Sequence, residues 1–135
     1  MEAFTVELGG AERVLKYTIK ERREMEKRFG CSLLDLMIKR AFPYDDKGNP
    51  TGAGEWEPQM ALLYYGLRHA GKSMTESKVE EWVTDAINHE RNVHEFVITC
   101  VAAIFASGVL GFIKDFRAKP EDEEPGKAES AEAPS

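Results

Sequence analysis

The hydrophobic pattern changes once along the chain, from a period of two to the spacing of helices. Residues 4–8 alternate apolar and polar side chains, Gly9 and Gly10 interrupt them, and residues 15–19 alternate again. Helical spacing then continues almost to the end of the chain. The pattern predicts a mainly α protein with a small N-terminal β-hairpin over residues 3–19, an α+β fold with about five helices in one compact domain over residues 1–117.

Two registers are open to the hairpin. A four-residue connection over residues 9–12 places Val6 opposite Leu15, whereas a two-residue glycine turn places Val6 opposite Arg13. Glycine pairs are typical of two-residue hairpin turns. Cross-strand apolar pairs stabilise a sheet, however, so we favour the four-residue connection. Two strands alone are marginally stable in water, and the hairpin is expected either to cover the core or to bind a partner at a free edge.

Capping residues divide the rest of the chain into helices. Thr18 and Glu21 form a capping box that begins the first helix. Ser32 is expected to cap the second helix and Thr75 the fourth. Residues 44–57 are rich in turn-forming residues and predict a long loop between the second and third helices.

The fifth helix is predicted to run from about residue 92 to residue 116. Residues 96–113 contain no charged side chain, which leaves three interpretations open: a central core helix, an oligomer or partner surface, and a membrane span. We favour the core helix because its apolar residues form a stripe and neither end carries a cluster of Lys or Arg. Small residues between the stripe positions, such as Ala102 and Ala106, would let another helix approach closely.

Charge is concentrated near the C-terminus. The chain of 135 residues has a formal net charge of -6, and much of the acidity lies in residues 121–132. Residues 118–135 are therefore predicted to be a disordered acidic tail. No basic face is evident in the remainder, which argues against a nucleic-acid partner. Cys31 and Cys100 lie in apolar contexts and are expected to be buried thiols in a reducing compartment.

The residues that could carry chemistry lack the required spacing. His89 and His94 are five positions apart, whereas a helical zinc pair needs a spacing of four. Asp45 begins a pattern that resembles a calcium loop but lacks the glycine and glutamate that such a loop requires, so we interpret it as a turn. We therefore expect no enzyme activity, no cofactor and no metal site.

Three short motifs resemble a known phage family. They are FTVELGG at residues 4–10, LLYYGLRH at residues 62–69 and VEEW at residues 79–82. Together they resemble the small tail assembly chaperones of siphophages and gene transfer agents, some of which are also described as tail tube proteins. The resemblance covers roughly residues 4–87.

The resemblance implies a non-enzymatic assembly factor in the host cytoplasm that is absent from the mature virion. Such a protein binds and solubilises the tape measure protein and helps recruit tail tube subunits. A homo-oligomer is compatible with this role, whereas nucleic acid and membrane are not expected partners. Two alternatives remain open, namely a tail structural (tube) protein and a small membrane-associated phage protein that uses residues 96–113.

Five residues are candidates for partner binding. Tyr64 and Tyr65 could present rigid amphipathic contacts beside a groove for a helix. Thr5 marks the hairpin edge, where a strand could be added. Leu36 and Met37 lie on a second helix whose apolar residues cover more than one face, and they are the next candidates.

Overall fold

The computed structural model of the protein describes residues 3–111. The elements are strands β1 (Thr5–Leu8) and β2 (Ala11–Val14), helix α1 (Ile19–Phe29), helix α2 (Leu33–Asp35) continued by a π-helical turn (Leu36–Ala41), helix α3 (Trp56–Leu67) followed by a 3-10 turn (Arg68–Ala70), helix α4 (Glu76–Asn88) and helix α5 (Val93–Ser107). The predicted α+β fold with five helices and an N-terminal hairpin is confirmed for this part of the chain. The predicted tail over residues 118–135 lies outside the described residues.

The hairpin uses the two-residue turn, so the register that we favoured is wrong. Val6 pairs with Arg13, and both turn glycines have positive φ, 61° at Gly9 and 78° at Gly10. A two-residue turn with positive φ at both positions matches the twist of the flanking strands. Arg13 is tolerated beside apolar neighbours because its guanidinium lies 4.1 Å from the centre of the Trp82 ring.

The chain after β2 packs closely against α3. The Lys16 N–H donates to the Gly66 carbonyl at 2.8 Å, and the Tyr17 hydroxyl donates to the Leu62 carbonyl at 2.6 Å. A Cβ atom at Gly66 would lie 2.5 Å from the Tyr17 hydroxyl and 2.8 Å from a Leu15 methyl carbon. The glycine therefore allows the hairpin to lie directly on the helix.

The helix beginnings follow the predicted caps. Thr18 and Glu21 form a complete capping box at α1. The Ser32 side chain accepts a hydrogen bond from the N–H of Asp35 at α2, and the Thr75 side chain accepts one from Lys78 at α4. Each cap satisfies an N–H group that would otherwise lack a partner within the helix.

The central helix is α3 rather than α5. Nine of the twelve residues of α3 are buried, whereas only five of the fifteen residues of α5 are. Helix α5 also ends at Ser107 and not at residue 116, because Gly108 adopts the left-handed conformation (φ 81°) that terminates a helix. Helix α5 therefore packs one face against the core and leaves its opposite face only partly covered.

Candidate partner-binding surface

Three of the five predicted contact residues belong to the core. Leu36 and Met37 have no exposed surface, and Tyr65 is 9% exposed beneath the guanidinium of Arg68. A partner cannot contact buried side chains without opening the fold. The prediction that these three residues form a binding surface is therefore corrected.

Tyr64 is half-buried and packs edge-on against Tyr65, with ring centres 5.2 Å apart. A cavity of about 500 Å³ lies beside Tyr64, and the charged side chains of Arg68 and Glu76 border it together with Met74. Charged groups at the border make this cavity less suited to an apolar helix than a wholly apolar groove would be. The predicted groove beside the tyrosine pair therefore stays a prediction for Tyr64, without Tyr65.

Arg68 is fixed beside Tyr64 by carboxylates of α1. Its guanidinium lies 2.9 Å from a Glu21 oxygen and 2.6 Å from a Glu24 oxygen. Burial raises the pKa of Glu21, but hydrogen bonds from Thr18 and Arg68 lower it by more, so the pKa lies below its ordinary value. Arg68 therefore joins α1 to the end of α3.

Side-chain donors occupy both outer edges of the hairpin near Thr5. Arg91 donates to the outward carbonyl of Glu7 in β1 at 2.8 Å, and the Nε2 atom of His69 donates to the outward carbonyl of Val14 in β2 at 2.7 Å. An added strand would have to displace one of these donors. Thr5 is half-buried in the strand whose outer edge is occupied by Arg91. Strand addition at Thr5 is therefore a poor mode of binding.

A largely apolar groove lies instead along the outer face of α5. It has a volume of about 330 Å³, and we call it the α5 groove; its lining residues are Phe42, Tyr44, Gly48, Ile98, Val101, Ala102 and Phe105. Ile98 is 49% exposed. The spacing from Ile98 to Phe105 corresponds to two helical turns, about 10 Å. Ala102 lies between them and would let a partner backbone approach closely.

Phe42 and Tyr44 form the wall of the α5 groove opposite α5, and aromatic contacts hold this wall in place. The Phe42 ring lies 5.8 Å from that of Tyr44 and 5.4 Å from that of His94, the latter edge-on. His94 in turn bonds the carbonyl of Ala53 through Nε2 at 3.0 Å. Since a carbonyl can only accept, Nε2 carries the proton. The wall is thus connected both to α5 and to the loop before α3.

The loop that carries this wall is ordered by its own hydrogen bonds. A carboxylate oxygen of Asp45 accepts from the N–H groups of Lys47 and Asn49, each at 2.9 Å, which confirms the turn predicted there. The buried amide of Gln59 donates to the carbonyl of Ala53 at 2.9 Å. A second bond from the same amide reaches the end of the π-helical turn. The groove wall is therefore pre-formed.

A second apolar depression lies on the hairpin side of α5. It has a volume of about 280 Å³ and includes Phe4, Val14, Ala103 and Ala106. The small residues of α5 thus border an open space on this side as well. The alternative that the fifth helix forms an oligomer or partner surface stays a prediction.

Metal sites, membrane spans and reactive thiols are three further features that bear on function. Within residues 3–111, no three His, Cys, Asp or Glu side chains lie close enough together to hold a metal ion. In the same part of the chain, no helix combines the length and apolar character needed to cross a membrane. Cys100 is buried, and this burial raises the pKa of its thiol to about 12, whereas Cys31 is only half-buried.

Sequence reasoning missed the aromatic wall of the groove. Phe42 and Tyr44 flank Pro43, where the pattern indicates only the end of a helix and the beginning of a loop. The π-helical turn that orients Phe42 has no pattern distinct from that of an α-helix.

No protein-family model, curated protein or solved structure matches this chain.

Proposed function

We propose that the protein is a non-enzymatic tail assembly chaperone that binds the tape measure protein through the α5 groove. The observation that carries the proposal is the groove itself, a pre-formed apolar channel about two helical turns long beside an exposed Ile98. The resemblance of the hairpin and of the motifs in α3 and α4 to small tail assembly chaperones supplies the biological context.

The groove has the properties that capture of an apolar helix requires. A helix that enters it would present side chains at positions i, i+3 or i+4, and i+7 to Ile98, Ala102 and Phe105. Removing these apolar surfaces from water favours binding by roughly 25 cal/mol for each Å² buried. Because the groove wall is pre-formed, little ordering entropy is lost on binding.

The remaining parts of the proposal come from the family resemblance. The chaperone acts in the host cytoplasm, keeps the long tape measure helices soluble until tail tube subunits assemble around them, and is absent from the mature virion. The recruitment of tail tube subunits needs a second surface, for which the hairpin side of α5 is the best candidate because it is apolar and lies across the helix from the α5 groove.

The proposal is tested by co-expression with the proposed partner, a tape measure protein. The measured quantity is the fraction of tape measure protein that stays in the supernatant. Ile98→Glu places a charge in the α5 groove and should reduce that fraction several-fold, because a buried unpaired carboxylate is strongly unfavourable at an interface. Ile87→Glu is the matched control, since Ile87 is 40% exposed on α4, outside the groove.

Each variant must first show native circular dichroism and an unchanged melting temperature. If wild-type protein fails to raise the soluble fraction of tape measure protein, the chaperone proposal is wrong. If wild-type protein succeeds and the two variants are equally active, the chaperone function stands and the α5 groove is not its binding site.

A further inference from the structure

Helix α1 and the segment before it carry exposed cations. We call this set the α1 basic strip, and its members are Lys16, Lys20, Arg23 and Lys27. The three members on the helix share one face because they are spaced by three and four positions. Within the part of the chain that the structure describes, no member forms a salt bridge. The expectation that the folded part lacks a basic face is therefore corrected.

The carboxylates on the same helix are bound to other cations. Glu21 and Glu24 both contact Arg68, and Glu26 contacts Arg22 at 3.1 Å. The positive charge of Lys20 also lowers the pKa of Glu24, although less than the hydrogen bond from Arg68 does. These acidic groups are thus already shared with cations outside the strip, which leaves the α1 basic strip with an excess of positive charge.

The described chain ends beside this helix. Arg22 donates to the carbonyl of Val109 at 2.8 Å, two residues before the last described residue, Gly111. Farther along the sequence, residues 121–132 contain six acidic residues and one lysine. The twelve residue-to-residue steps from Val109 to Glu121 can span up to about 40 Å, whereas α1 is only about 16 Å long. The acidic segment can therefore reach every position of the strip.

We propose that residues 121–132 bind the α1 basic strip of the same molecule and shield it from other anionic partners. The two carry opposite charge, and the tether gives the segment an effective concentration on the order of millimolar. Even a weak, millimolar affinity then occupies the strip about half of the time. The contact goes beyond the proposed chaperone function and does not depend on it.

The test uses the full chain labelled with ¹⁵N and the amide chemical shifts of α1. One variant neutralises the acidic segment at constant length, with the changes Glu121→Gln, Asp122→Asn, Glu123→Gln and Glu124→Gln. Raising the salt from about 25 mM to about 500 mM should shift the α1 amides of wild-type protein because it screens the contact. The variant at low salt should already show those shifts and should respond at least threefold less to added salt.

A control variant removes the same number of carboxylates elsewhere, with the changes Asp46→Asn, Glu81→Gln, Asp85→Asn and Glu90→Gln. It should behave like wild-type protein at α1. A reciprocal variant removes three cations of the strip, with the changes Lys20→Gln, Arg23→Gln and Lys27→Gln. The amides of residues 121–124 should then shift as they do at high salt, provided that circular dichroism shows a native fold.

Two results would overturn the proposal. The first is that the α1 amides of wild-type protein and of the neutralised variant coincide at low salt. The second is that salt-dependent shifts persist in the neutralised variant and grow with protein concentration. That result would mean that a second copy of the chain, and not the acidic segment, occupies the α1 basic strip.

Discussion

Gly66 lies where the hairpin meets the central helix, and Gly66→Ala is the sharpest test of that packing. In an exposed helix interior, this change stabilises a protein by about 1 kcal/mol because alanine has the higher helix propensity. Here the new Cβ would lie 2.5 Å from the hydroxyl of Tyr17 and 2.8 Å from a methyl carbon of Leu15. Neither distance is compatible with ordinary van der Waals contact.

The expected cost follows from what must move. Overpacking a buried position costs about 1–3 kcal/mol. Displacing Tyr17 also lengthens its 2.6 Å hydrogen bond to the Leu62 carbonyl, which is worth about 0.5–1.5 kcal/mol. After the gain in helix propensity is subtracted, we expect Gly66→Ala to lower the free energy of unfolding by about 1–3 kcal/mol.

The assay is equilibrium unfolding in urea, followed by circular dichroism. The matched control is a double-mutant cycle with Tyr17→Leu, which removes the ring that the new methyl group would strike. In that background Gly66→Ala should cost markedly less, with a coupling energy of at least about 1 kcal/mol. If Gly66→Ala stabilised the wild-type protein, or if the coupling were zero, the close packing of the hairpin on α3 would be refuted.

Three further outcomes are expected. Trp82→Ala should lower the free energy of unfolding by roughly 2 kcal/mol in urea titrations, because the half-buried ring supports Arg13. Trp82→Phe should lower the free energy of unfolding by less. If both variants were as stable as wild-type protein, Trp82 would not support Arg13. The pKa of Glu21 in the folded protein lies below its ordinary value of 4.5, so the ionised carboxylate stabilises the fold above that pH, and this stabilisation is lost as the pH falls through the lowered pKa. Glu21→Gln should make the melting temperature depend less on pH in the acid range. An unchanged pH dependence would contradict the assignment. A thiol reagent at pH 8 should label Cys31 rapidly in the native protein and should label Cys100 only after the protein unfolds, because burial raises the pKa of Cys100 to about 12. Rapid labelling of both cysteines would show that α5 opens readily.

The sequence was sufficient where the signal is local. The capping box at Thr18, the caps at Ser32 and Thr75, and the turn at Asp45 each depend on hydrogen bonds between residues a few positions apart. The composition of neighbouring residues fixes such bonds in almost any tertiary context. These elements were therefore predicted correctly.

The hairpin register was predicted wrongly because two local rules disagreed. Apolar pairing favoured Val6 opposite Leu15, whereas the glycine turn favoured Val6 opposite Arg13. The stacking of Arg13 on Trp82 removes the disadvantage of the second register, but the two residues are far apart in the sequence. Only the tertiary structure shows that an arginine can belong to the apolar face of this hairpin.

The candidate surface was the least predictable part. Leu36, Met37 and Tyr65 have the composition of a binding surface, but the fold covers them, and it leaves Ile98 exposed beside Phe42 and Tyr44. Periodicity shows which residues of a helix share a face, but it does not show which of several apolar faces the other helices cover.

The class of the fold, the positions of the helix caps and the acidic character of residues 121–132 follow from the sequence alone, because propensity, capping and charge are properties of short segments. The identity of the central helix, the apolar face that remains open and the pairing of the α1 carboxylates with Arg68 are visible only in the folded chain. Those features depend on contacts between residues distant in sequence, such as Tyr17 with Leu62 and Arg22 with Val109. Packing competition among several apolar faces has no local signature.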